Sequence, residues 1–191
     1  MLRNAQYIED NNIIFDDKNS FKIGKKAQNG FDCSIKKVFK GTHPGLVLKS
    51  KTYVTPYLEI PSKTISYPYT ELTDGKTIEF EGWYLPKGSY IIELNEGCQF
   101  GPNDVGYYIM RSSLNRNFVT IQSALWDCGF TTQDGEVIHS PTLRLTVDTE
   151  EGFYLEKGAR VAQLIVATGE DTELYGTSDS QFQGGRKTSS K

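Results

Sequence analysis

The sequence predicts an all-β protein, a distorted barrel or jelly-roll-like sandwich with little helix. Segments such as TIEF (residues 77–80), SYIIEL (89–94), TLRLTV (142–147) and RVAQLIV (160–166) are short and rich in β-branched and aromatic residues. Gly, Pro, Asn and Asp turns separate them, and that spacing belongs to a barrel or sandwich rather than to alternating helices and strands. No repeat and no linker cuts the chain, so residues 1–191 are expected to form one domain.

In chain order, residues 5–11 are the one stretch that reads as a short helix. Asn29-Gly30 leads into a strand on which Asp32 and Ser34 share a face, because side chains alternate along a strand. Residues 46–57 (LVLKSKTYVTPY) read as a strand pair or one long strand. Pro56 favours its edge or end, since proline donates no ladder hydrogen bond. After TIEF and SYIIEL, the strand at 107–110 runs into a turn at Arg111-Ser112-Ser113. Asp134-Gly135 marks a hairpin turn ahead of TLRLTV, and Lys157-Gly158 a turn ahead of RVAQLIV. The chain closes on GGRKTSSK, the composition of a mobile segment, expected to span about residues 177–191.

Composition narrows the class. The chain of 191 residues is 37% hydrophobic, enough for one well-cored soluble domain. No apolar run reaches the length of a membrane span and the first residues carry no hydrophobic signal region, so a cytoplasmic protein without a membrane partner is expected. Cys33, Cys98 and Cys128 are scattered and odd in number, with neither zinc spacing nor a disulfide framework. The net charge of −3 argues against a nucleic-acid groove and permits a local basic pocket for one nucleotide. His43 and His139 read as surface residues.

The chemistry concentrates between residues 110 and 130, MRSSLNRNFVTIQSALWDCGF. A guanidinium fork matches phosphate oxygens two at a time, and hydroxyls in a turn complete a cradle, so Arg111, Ser112 and Ser113 suit phosphate. Asp127, between Trp126 and Cys128-Gly129-Phe130, is a nearby acid. An Asp after a strand is most often a turn former that binds its own backbone. Beside a phosphate cradle it suits the activation of water.

Arg111-Ser112-Ser113-Leu114, Asp127-Cys128-Gly129-Phe130 and Lys157-Gly158-Ala159-Arg160-Val161-Ala162-Gln163-Leu164 resemble, in order, the signature motifs of the dUTPase and dCTP deaminase superfamily. Asn29-Gly30-Phe31-Asp32-Cys33-Ser34-Ile35 is similar to its first motif. Tyr175-Gly176 with Gln181-Phe182-Gln183-Gly184-Gly185-Arg186 is similar to the tail of its deaminase branch. The resemblance covers roughly residues 28–186, with weak stretches at 45–85 and 131–142.

The resemblance implies a dUTPase-like (β-clip) fold and magnesium-dependent hydrolysis of a deoxynucleoside triphosphate, dUTP first, to the monophosphate and pyrophosphate. It implies Asp127 as the base that deprotonates the attacking water and Asp32 as the carboxylate steadying a magnesium-bound water. Magnesium keeps several waters and takes few protein ligands. Arg111, Ser112, Ser113, Arg116, Gln163 and Arg186 would hold phosphates; Thr120, Gln122, Phe182 and Gln183 would meet the base. A homotrimer with sites between subunits, closed by the C-terminal segment, is implied as well.

Two departures separate the branches. In the deaminase branch a Glu in a Thr-Leu-Glu-Leu-like strand activates water at the pyrimidine ring, whereas residues 142–145 read Thr-Leu-Arg-Leu. Arg144 stays protonated and cannot serve as that base. Residues 131–141 insert Glu136, but a turn holds a base poorly for chemistry that needs tight positioning. The stretch between Arg116 and Asp127 is about two residues shorter than the deaminase pattern, by count from the sequence. A dCTP deaminase, mono- or bifunctional, is the second reading, and a non-catalytic nucleotide-binding protein that keeps the fold the third.

Overall fold

The computed structural model describes residues 1–11, 13–15, 25–49, 51–126, 132–133, 136–137 and 141–169. Helix α1 (Ala5–Asp10) is capped by Asn4, whose side chain accepts the Tyr7 amide at 2.9 Å. Strand β1 (Ile14–Phe15) and β2 (Lys25–Lys26) precede β3 (Phe31–Gly41), the longest strand of the sheet. β4 (Leu46–Val47) and β5 (Thr52–Tyr53) pair as a small hairpin, and β6 (Tyr57–Ile60) starts directly after Pro56. The strand-pair reading of 46–57 therefore holds.

β7 (Lys63–Ser66) and β8 (Glu79–Leu85) are joined through a 3₁₀ turn at Thr70–Thr73. The strand expected at 77–80 begins two residues later and runs five residues further, through Gly82-Trp83-Tyr84-Leu85. A Cβ at Gly82 would collide with the Leu155 carbonyl, so a residue that reads as a strand breaker is the one that lets two backbones approach. β9 (Gly88–Leu94), β10 (Gly97–Cys98) and β11 (Asp104–Met110) follow, then the single helical turn α2 (Ser112–Asn115) where the sequence predicts a turn. β12 (Val119–Gln122), β13 (Thr132–Gln133), β14 (Glu136–Val137), β15 (Thr142–Val147), β16 (Phe153–Glu156) and β17 (Arg160–Thr168) complete the chain. Gln133 pairs with Glu136, the spacing expected of a two-residue hairpin connection at Asp134-Gly135, although those two residues lie outside the described ones.

The main sheet runs β11-β17-β3-β9-β15-β12, with β2 and β6 also paired to β3. Its two ends meet: Gly106 of β11 and Trp126, just beyond β12, exchange backbone hydrogen bonds of 2.8 and 2.9 Å. Closure of this kind removes the exposed edges of an open sheet and makes the fold barrel-like, as expected. A second, three-stranded sheet, β16-β8-β7, brings Trp83, Leu85 and Leu155 to the same core.

Alternation fills the interior. Tyr90, Ile92 and Leu94 of β9 and Leu143, Leu145 and Val147 of β15 point inward, while Arg144 faces out. Phe31, Ile35, Leu164, Ile8, Ile13 and Ile14 close the barrel from the side of β3, β17 and the N-terminal segment. Among the described residues no helix is long and apolar enough to cross a membrane.

Candidate functional site

The site forms where β3, β17 and β11 run side by side. Asp32 pairs with Gln163 of β17, and Gln163 pairs on its other side with Ile109 of β11, so these three share one face. Arg111, two residues beyond Ile109, continues on that face, its amide donating to the Val161 carbonyl at 3.1 Å. A Cβ at Gly30 would run into the Leu164 carbonyl, so glycine there lets the start of β3 lie tight against β17 and delivers Asp32 to its place.

Asp32 is 8% exposed and holds two guanidiniums on one oxygen. Arg111 Nε stands 3.4 Å from Oδ2, and Arg160 Nη1 donates to the same Oδ2 at 3.3 Å. One carboxylate between two arginines leaves a surplus positive charge, and the arginine side chains are 33% and 38% exposed, so their outer parts reach solvent. A partly buried pair of forks with surplus charge is an anion site by its electrostatics.

Leu114 is buried beneath α2, which leaves Ser112, Ser113 and Arg116 exposed next to Arg111. Thr120 and Gln122 stand on the outward face of β12, opposite Thr146 and Arg144. The structure thus brings Asp32, Arg111 and Gln163 together, with Ser112 and Ser113 adjoining in the chain, and keeps Thr120 and Gln122 on a different strand that barrel closure sets next to β11. Asp127, Phe182, Gln183 and Arg186 lie outside the described residues, as does the segment 170–191.

Two further residues belong to this corner: Arg160, which the sequence offers less firmly than Gln163 within the motif at residues 157–164, and Glu96, which it does not single out. Arg160 is the second cation on Asp32. Glu96, 1% exposed, accepts the Ser34 amide at 2.6 Å and the Ser34 hydroxyl at 2.8 Å, and so braces β3 two residues from Asp32. Ser34 signalled it weakly, as a polar residue in an otherwise apolar strand; its partner, 62 positions away, carried no signal.

Cys33 and Cys98 are buried and are not poised as nucleophiles. Burial pushes the Cys33 thiol well above its ordinary range, and burial pushes Cys98 up to about 12, so both stay protonated at neutral pH. Among the described residues no group of three or more His, Cys, Asp or Glu side chains is arranged to hold a metal ion.

A family model described as dCTP deaminase-like matches residues 5–169. A Halobacterium salinarum protein described as a probable deoxyuridine 5'-triphosphate nucleotidohydrolase is 32% identical over 149 residues, 77% of this chain and 78% of that protein. One from Archaeoglobus fulgidus with the same description is 28% identical over 138 residues, 72% of this chain and 68% of its own. The crystal structure of 2'-deoxycytidine 5'-triphosphate deaminase from Agrobacterium tumefaciens superposes with a TM-score of 0.55 at 11% identity, over 88% of this chain and 48% of that one. This chain therefore spans about half of that deaminase, and at such identity the likeness is one of fold. Motif order, a closed β-barrel and a family match running from α1 to the end of β17 agree: the chain belongs to the dCTP deaminase-like family.

Proposed function

We propose that this protein hydrolyses dUTP to dUMP and pyrophosphate, as a cytoplasmic homotrimer without nucleic-acid partners. The observation that carries the reading is the meeting of Arg111, Asp32 and Gln163 on one face of three adjacent strands, with surplus positive charge at its rim. The archaeal relatives described as probable deoxyuridine 5'-triphosphate nucleotidohydrolases support the choice of dUTP.

In this reaction a water oxygen attacks the α-phosphorus, the bond from that phosphorus to the bridging oxygen breaks, and pyrophosphate leaves with the electron pair. Arg111 is the principal charged contact to the phosphates. Its contact with Asp32 uses Nε, so four N–H donors on the two Nη groups are not engaged there. Ser112, Ser113, Arg116 and Gln163 add neutral and charged donors, and Arg186 follows from the tail. Asp127 accepts the proton of the attacking water. Thr120, Gln122, Phe182 and Gln183 are the proposed contacts to the base.

Magnesium fits as a substrate-borne ion. Among the described residues Asp32 is the carboxylate that meets the site's arginines, and both of these guanidinium contacts go to Oδ2. One carboxylate can hold a water of an ion whose other positions are filled by phosphate and solvent, which suits Asp32 and no larger cluster. When bound, magnesium supplies neutralisation of the developing phosphate charge.

The dCTP deaminase reading has one specific observation in its favour, the description of the matching family model. Against it stands Arg144, outward on β15 opposite Gln122, where that chemistry needs a base. Incubation with dUTP and with dCTP plus magnesium, following pyrophosphate and ammonia separately, tests the choice. Pyrophosphate from dUTP without ammonia is expected. Ammonia from dCTP would overturn the assignment, and neither product from either nucleotide would leave a binding protein.

A further inference from the structure

We propose that Arg160 is a second phosphate-contacting residue of this site, aimed there by the β-bulge at the start of β17; this rests on the reading that the site takes a nucleoside triphosphate. The register carries the argument. Gln163 pairs with Asp32 and Ala162 with Cys33, so a regular ladder would next pair Val161 with Ser34. Instead Arg160 pairs with Ser34, and Val161 is the extra residue of a bulge.

Because side chains alternate across a strand, the one-residue shift changes the face that Arg160 occupies. In a regular ladder it would stand opposite Ile35, a fully buried core residue. With the bulge it stands opposite Ser34, on the face that carries Asp32, Gln163 and Arg111, while Val161 fills the interior at 0% exposure. Bulges beside functional sites re-aim single side chains in this way.

Two further observations say what the re-aimed group is for. A salt bridge that served only to clamp β17 to β3 would be satisfied by one cation on Asp32, but two stand on the same oxygen at 3.3 and 3.4 Å. Two guanidiniums sharing one charge repel each other, and a polyanion at their exposed sides relieves that repulsion. The strand opposite the bulge is also held rigidly, since the buried Glu96 carboxylate takes both the Ser34 amide and its hydroxyl. A positioning device built from a bulge and a buried carboxylate prepares a fixed pair of forks, the arrangement suited to two neighbouring phosphates.

The test is calorimetric titration of the full-length protein with inorganic tripolyphosphate in magnesium-free buffer, beside steady-state kinetics on dUTP. Arg160→Gln is expected to weaken tripolyphosphate binding roughly ten- to a hundredfold, the range for one charge-assisted contact, and to raise KM for dUTP by a similar factor. Arg160→Lys keeps a cation against Asp32 and loses the fork, so a severalfold loss is expected from a protein whose fold is retained. Wild-type affinity in either variant would make Arg160 a structural clamp and overturn the proposal, as would a wild-type protein that binds no tripolyphosphate. Loss of tripolyphosphate binding in Arg160→Gln, in a protein that does not hydrolyse dUTP, would uphold Arg160 as an anion contact and refute the dUTPase reading.

Discussion

The ribbon made by β11 and β17 has a buried aspartate near each end, Asp104 on β11 itself and Asp32 on the neighbouring β3, and the two are satisfied in opposite ways. At one end Asp104, 7% exposed, accepts the Tyr7 hydroxyl at 3.0 and 3.1 Å and the Thr168 hydroxyl at 2.8 Å. Arg3 donates to that same Thr168 hydroxyl and lies 4.4 Å over the Tyr7 ring, and the Met1 amine donates to the Thr168 carbonyl. At the other end Asp32, 8% exposed, meets two guanidiniums whose outer halves reach water. Burial is equal, so the difference lies in the partners. Hydroxyls saturate a carboxylate and seal the corner, tying the N-terminal segment to the barrel. Guanidiniums over-compensate it and leave charge to spare for an anion.

If the Asp104 corner is structural, Asp104→Ala should be the most costly change in stability. It leaves two partly buried hydroxyls without their acceptor, at roughly 2–3 kcal/mol in total. For a domain of this size that is a fall of about 4–12 °C in the thermal midpoint. Calorimetric melts check it, and turnover per folded molecule should be unchanged.

Arg111→Ala tests the opposite corner. Loss of a charged, two-pronged contact should lower kcat/KM by roughly ten- to a hundredfold, about 1.5–3 kcal/mol. The thermal midpoint should barely move, because Arg160 still satisfies Asp32. An unstable but fully active Arg111→Ala protein would erase the distinction between the corners.

Tyr7→Phe sharpens the comparison by removing one hydroxyl and leaving Thr168 on Asp104. About 1 kcal/mol, or 2–4 °C, is expected, with no kinetic effect.

The smallest effect at neutral pH belongs to the middle of the ribbon, where the Tyr108 hydroxyl donates to Cys98 Sγ at 3.3 Å. Burial holds the Cys98 thiol at about 12 against an ordinary value of 9.0. The unfolded chain ionises above pH 9 while the folded one stays protonated, so this contribution is complete below pH 9 and is lost as pH rises towards 12. The slope is roughly 1.4 kcal/mol per pH unit for such a group. Denaturant midpoints between pH 8 and 11 measure it, and Cys98→Ala should flatten the curve over that window.

Much of this molecule was legible because the information is local. TLRLTV and SYIIEL read as strands from their β-branched and aromatic content and are strands, their inward side chains alternating as a pleated strand requires. Lys157-Gly158 reads as a turn, and Gly158 does adopt a φ of +83°. Arg111, Ser112, Asp32 and Gln163 were named from their motifs, and the structure sets Asp32, Gln163 and Arg111 on one face. By contrast, TIEF was placed two residues early, because the pairing of β8 with β7 and β16, rather than its own composition, decides where that strand starts.

The chain by itself determined the strand-rich class, the order of the motifs and the residue types that can hold phosphate, all of which depend on side-chain chemistry and near neighbours. Only the tertiary structure decided that Arg160 joins Asp32, that Glu96 braces Ser34 and that Gly106 and Trp126 close the barrel. Each depends on register between distant strands. A single extra residue at Val161 turns a side chain from the core to the site, and composition is blind to a shift of one.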